Sequence, residues 1–188
     1  MPYEPPPELA ALSLAEIGAW AAARKLPPVD QWTPQHSSES FMRIAADGRW
    51  FHEGAEIRRP AMVRAFASLL LRDAEGQHWL VTPYERQSIE VEDAAFIATD
   101  VKREGDALAF RINTDEFVLA GPEHPLRASG TVEAPALYLA VRHGCEARLN
   151  RSTWEQLAAI AIAEAGDDAA PETLAVTSQG ARFALMPA

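Results

Sequence analysis

Asp47-Gly48 and Glu53-Gly54 punctuate a run of short, bulky segments. Phe41–Ala46 precedes the first pair, Arg49–His52 lies between them, and Ala55–Ile57 follows. A residue-Gly pair between such segments is a strong hairpin signal, because an I′ turn needs φ > 0 at both central positions. Arg58-Arg59-Pro60 comes next, and proline suits the first turn of a helix, where its missing N–H is not needed. Met62, Val63, Phe66, Leu69 and Leu70 recur at helical spacing, which predicts a helix from Pro60 to about Arg72. A hairpin that feeds directly into a helix makes this an α+β chain.

The flanks follow the same grammar. Pro5, Pro6 and Pro7 form a stiff, extended leader. Ser13-Leu14-Ala15-Glu16 matches a capping box, and Leu14, Ile17, Trp20 and Ala21 line one face of the helix it opens. Pro27-Pro28 ends that helix, and residues 27 to 40 read as a linker. Strands are expected at 78–82, 88–92, 96–101, 107–112, 116–119 and 137–141. Residues 121 to 135, with Pro122, Pro125, Gly130 and Pro135, read as irregular. His143-Gly144 turns into Glu146–Leu149, a second capping box (Ser152 to Glu155) opens a third helix, and a hairpin about Gln179-Gly180 closes the chain.

The order hairpin, helix, strand occurs twice, with Ile57–Pro60 echoed by Leu149–Ser152. Such an echo suggests a structural repeat, although convergent hairpin-helix grammar would produce it too. The expected architecture is two small α+β halves with mainly antiparallel strands, plus an N-terminal helix. The boundaries fall at 1–40 for the helix and linker, 41–94 for the first half and 95–188 for the second.

Composition restricts function more than fold. The 188 residues are 48% hydrophobic, enough to bury a core. A net charge of −10, from 17 basic and 27 acidic residues, argues against a nucleic-acid partner, which needs cations against its phosphates. The single cysteine, Cys145, allows no internal disulfide and no cysteine-based zinc cluster. No run approaches the ~20 apolar residues that cross a bilayer, and the N-terminus lacks the character of a secretory signal. The expected setting is the cytoplasm.

Met42-Arg43-Ile44, Asp47-Gly48, Trp50-Phe51, Arg59-Pro60, Leu80–Glu85 and Ile89–Ala94 with Phe96 together resemble an uncharacterised bacterial family, the domain of unknown function numbered 1285. Arg142-x-Gly144-x-Glu146-Ala147-x-Leu149-x-Arg151 is similar to that family's second signature. Thr177-Ser178-Gln179-Gly180 departs from the Trp-Ser-x-Gly pattern of the family, and the N-terminal helix lies outside its signatures. The resemblance implies two related α+β halves, no established activity, and a suggested role in signal transduction or ligand sensing.

Arg58, Arg59, Arg142 and Arg151 all flank structural junctions. An arginine beside free helix-end amides suits an anion clamp; the commoner use of such arginines is to bridge acids, here Glu56, Glu90 or Glu146, and hold the halves together. If the halves form a cleft, these four arginines with Trp50, Tyr84, Glu90 and Glu146 are its candidate ligand-binding residues, and the ligand is a small anion. Glu85, Glu90, Glu92 and Asp93 could serve acid–base chemistry or simply form a solvated strand face. The five histidines have no metal-ligand spacing, and no nucleophile elbow, Walker loop or dinucleotide fingerprint is present. No catalytic residue, metal or cofactor is therefore expected. Three classes stand: a small-molecule or signal-sensing binding protein, an interaction or scaffold homodimer formed through the N-terminal helix, and a carboxylate-dependent hydrolase.

Overall fold

In the computed structural model, which describes residues 7–168, 170 and 173–188, helix α1 (Leu14–Ala23) precedes two six-stranded sheets. The first sheet holds β1 (His36–Ile44), β2 (Trp50–His52), β3 (Ala55–Glu56), β4 (Leu70–Arg72), β5 (His78–Val81) and β6 (Glu85–Val91), in the order 3-2-1-6-5-4. Helix α2 (Pro60–Ala67) connects β3 to β4. The second sheet holds β7 (Phe96–Glu104), β8 (Ala107–Ile112), β9 (Phe117–Leu119), β10 (Leu126–Gly130), β11 (Pro135–Arg142) and β12 (Cys145–Leu149), in the order 10-11-12-7-8-9. Helix α3 (Arg151–Ala165) and the hairpin of β13 (Ala175–Ser178) and β14 (Ala181–Ala184) follow. The α+β class and the two-half plan hold.

Each sheet is two three-stranded antiparallel meanders joined along one parallel pair, β1 with β6 and β7 with β12. In both halves the first strand therefore pairs with the sixth. The repeat exists at this level of strand order, but not in the alignment that equates the two helices. Helix α2 lies between the meanders of its half, whereas α3 follows the last strand of the second half.

Several local expectations change. The helix expected to reach Arg72 stops at Ala67, capped at Ser68, because Leu70 and Leu71 pair with Leu80 and Trp79 as β4. Tertiary pairing overrides the helical periodicity there. His36–Ser40, expected as linker, is the first part of β1, and residues 126–130 of the expected irregular loop form β10. Asn150, not Ser152, caps α3: its side chain accepts the Thr153 N–H at 2.8 Å. The Ser13–Glu16 capping box forms as expected. At Asp47-Gly48 only Gly48 has positive φ, whereas Glu53-Gly54 and His143-Gly144 have it at both positions.

One core runs through both halves, with Ile44, Trp50, Leu70 and Ile89 from the first meeting Phe96, Phe110, Leu137 and Leu157 from the second. A smaller cluster seats Leu9, Leu12 and Ile17 on Ala109 and Phe117, so the N-terminal segment docks on the second sheet. Ile17 of the expected helical stripe is thus buried within the chain itself. The side chains of Trp20 and Ala21, and Pro5 and Pro6 of the leader, lie outside the described part. Among the described residues no helix is long and apolar enough to cross a membrane.

Candidate functional site at the junction of the halves

Two close approaches fix how the halves meet. Gly48 lies so near the second half that a Cβ there would come within 2.7 Å of Ile97 Cγ1. Gly144, with φ at 77°, lies against β4, where a Cβ would come within 2.6 Å of the Arg72 carbonyl oxygen. The Arg72 N–H donates to the His143 carbonyl at 2.9 Å, so β4 hydrogen-bonds to the turn between β11 and β12. Side chains reinforce the junction. Asp93 accepts from the Tyr138 hydroxyl at 2.6 Å and from Arg148 at 2.9 Å.

Beneath the junction lies a buried ionic cluster. Glu116, 8% exposed, pairs with Arg142, 12% exposed, and with Arg24 at 3.3 Å, and it accepts the Thr114 hydroxyl. Arg142 also donates to the Ala67 carbonyl of the first half at 3.2 Å and lies 4.9 Å from the Phe96 ring centroid. A buried carboxylate is tolerable only when charge partners and hydrogen bonds surround it, and all are present here. Beside it, Asp115 accepts from Arg111 at 2.6 Å and faces Arg64 of α2 at 3.9 Å.

Above this cluster a cavity of about 410 Å³ opens between β2, the start of α2 and the turn after β8. That volume falls within the usual range for small-molecule sites, ~300–1,000 Å³. Trp50 and Val63 supply apolar wall, and the Trp50 ring stacks on Phe66 with centroids 6.4 Å apart. Asn113 closes the far side; its side-chain oxygen accepts the Ile97 N–H at 3.0 Å, which fixes the amide orientation. Arg49, Arg58 and Arg64 line the space against Glu56 and Asp115, three cations to two anions. Arg58 is 83% exposed and touches Glu56 at 3.2 Å, while Arg49 pairs with Asp47 at 2.8 Å. Hydrogen bonds from the Arg49 backbone and side chain hold the Asp47 carboxyl below its ordinary range.

The eight sequence-derived candidates do not share one site. Trp50 and Arg58 line the cavity. Arg59 caps α2 through its backbone with its side chain in solvent, and Arg142 is interior. Glu146 takes a bidentate grip from Arg127 at 3.0 and 2.8 Å. Arg151 is exposed and pairs with Glu155 one turn on. Tyr84 is exposed at the turn between β5 and β6, and Glu90 stands on the solvent side of β6. Among the wider set of acids, Glu92 accepts the Ala46 N–H at 2.8 Å and pairs with Arg43. Arg49, Arg64, Asn113 and Asp115 were not among the candidates. The cluster Asn113-Thr114-Asp115 is a turn signal, and Asp115 does adopt positive φ. Arg111 lies only four positions before it, but nothing local marks Asp115 as the partner of Arg64, far along the chain.

Among the described residues lining the cavity there is no histidine, cysteine or serine. Burial pushes the Cys145 thiol up to about 12, leaving it un-ionised at neutral pH. Among the described residues, no group of three or more His, Cys, Asp or Glu side chains is placed to hold a metal ion.

Residues 27–94 match the family model for the N-terminal domain of DUF1285, and residues 95–185 match that for its C-terminal domain, both described as of unknown function. The chain belongs to the DUF1285 family. A solved DUF1285 protein from Silicibacter pomeroyi DSS-3 is 36% identical, with a TM-score of 0.75, over 90% of this chain and 94% of that one. A second DUF1285 structure, from Shewanella baltica OS155, is 22% identical over 62% of this chain and 89% of that one, with a TM-score of 0.51, and shows likeness of fold alone. No curated protein matches the chain.

Proposed function

We propose that this DUF1285 protein is a binding and sensing module for a small anionic metabolite held in the cavity between its halves. One observation carries the reading: the walls come from both halves, and guanidinium groups outnumber carboxylates among the lining side chains. A ligand there would touch β2 and α2 on one side and Asn113 on the other. Its binding energy would thereby couple the halves, which is what a sensing element requires. Arg49 and Arg58 offer planar, forked donors suited to carboxylate or phosphate, and Trp50 with Val63 offers apolar contact.

A thermal-shift screen with di- and tricarboxylates, sugar phosphates and nucleotides tests the proposal. A binder at a hundredfold excess over its Kd stabilises the fold by about 2.7 kcal/mol. For a chain of this length that is roughly 5–11 °C in Tm. R49A/R58A should remove the shift while leaving the ligand-free Tm within about 2 °C, since exposed ion pairs contribute little. Equal stabilisation of the wild type and the double variant by every active anion would refute it.

A further inference from the structure

The solvent side of the first sheet carries a second cavity, of about 640 Å³, that does not share a single lining residue with the junction site. Its origin is a fault in the parallel pair. Glu39 faces Ser88 and Arg43 faces Glu90, so Ser40, Phe41 and Met42 together span Ile89 alone. Buried Ser40 replaces the missing ladder contacts: its hydroxyl donates to the Ser88 carbonyl at 2.7 Å and accepts the Met42 N–H at 3.1 Å. The three residues exceed the one they face by two, and the middle one, Phe41, takes a left-handed backbone with φ at 56° and projects its ring outward, 60% exposed. Bulges commonly re-aim one side chain in this way beside binding sites.

The walls have a definite chemistry. Phe51 lies under the Arg43 guanidinium, 4.4 Å from its ring centroid, and Arg43 is itself neutralised by Glu92. Among the described residues no cation lies over the exposed Phe41 ring. Glu39, Glu53 and Glu90 also line the space, and among the described residues none of them has an ion-pair or side-chain hydrogen-bond partner. Although all three border one cavity, they do not converge into a metal-holding group. Separated carboxylates beside open aromatic surface complement a ligand whose positive charges are also separated and joined by apolar chain.

We propose that this groove binds an aliphatic polyamine, its ammonium groups on Glu39, Glu53 and Glu90 and its methylenes across Phe41. At Arg43 and Ile44 both edges of β1 are already paired, with β2 and β6, and trilysine tests whether an extended cationic chain takes the groove instead. This assignment is independent of the anion site at the junction.

Isothermal titration of the full chain with spermidine tests it, with calcium chloride and trilysine as competitors. Saturable one-site binding is expected. E39Q/E90Q should weaken it about two- to thirtyfold and F41A several-fold, given what ammonium–carboxylate and cation–π contacts contribute at exposed sites. E123Q/E133Q, the same charge change on loops of the second half, should leave affinity unchanged, as should R49A/R58A at the junction. All the positions changed are exposed, and circular dichroism of each variant should match the wild type. The proposal is overturned by an absence of saturable heat, by equal weakening in E123Q/E133Q, by full affinity in F41A, or by calcium or trilysine binding tighter than spermidine.

Discussion

Replacing Arg142 with methionine tests the junction most directly. The substitution keeps an unbranched apolar side chain but removes the guanidinium that lies over Phe96, faces Glu116 and donates to the Ala67 carbonyl. Glu116 is 8% exposed, so water cannot take over the lost role. Breaking a buried pair from one side costs about 3–5 kcal/mol. Arg24, 3.3 Å from the same carboxylate oxygen, remains and holds the cost near the lower end, about 3 kcal/mol. For a chain of this length that corresponds to roughly 6–12 °C in Tm. Removing both members with R142M/E116L eliminates the stranded charge, so at least about half the loss should return, a coupling of roughly 1.5 kcal/mol or more. Urea unfolding followed by tryptophan fluorescence, with Trp50 in the core, measures R142M, E116L and the double variant. A cost below about 1 kcal/mol for R142M, or a double variant equal to the sum of the singles, would show that the cluster is solvated and that the reasoning fails.

Two further outcomes follow from the same packing. Gly144→Ala forces a Cβ toward the Arg72 carbonyl at a left-handed backbone position, and should lower stability by about 2–3 kcal/mol in the same assay; a neutral result would mean that the halves are not pressed together there. His78 and His143 are held below the ordinary imidazole range, chiefly by burial, with Arg72 near the first and Arg142 near the second; Asp73 and Glu146 at His78, and Asp30 at His143, oppose the effect. The unfolded chain takes up protons at these residues near pH ~6.5 and the folded chain only lower, so this stability is present above ~6.5 and lost as pH falls below it. Unfolding free energy should fall between about pH 7 and pH 5, less steeply in H78N/H143N; a flat profile in the wild type would contradict it.

Local chemistry was readable in the sequence. The capping box at Ser13, the residue-Gly turns at Glu53, His143 and Gln179, and proline at the start of α2 all depend on groups within a few positions. The parallel pairs were not readable, because Ser37 meets Arg86 across 49 positions and neither strand carries a mark of its partner. Leu69 and Leu70 kept helical period yet left the helix, since pairing with β5 outweighs propensity. The site divides in the same way. Arg142 was recognisable as a junction arginine, but Arg24 lies 90 positions from Thr114, and only the fold brings it there. Trp50 and Arg58 reached the cavity because they sit beside the turn-and-helix signals; Arg59, one residue further, is exposed and does not line it.

Because the first strand of each half waits for its sixth, neither sheet can close until nearly all of that half has left the ribosome. An emerging chain exposes the open edge of β1 until Glu85–Val91 arrives, and that of β7 until Cys145–Leu149 arrives. Unpaired strand edges of that kind are the surfaces on which incompletely folded chains aggregate.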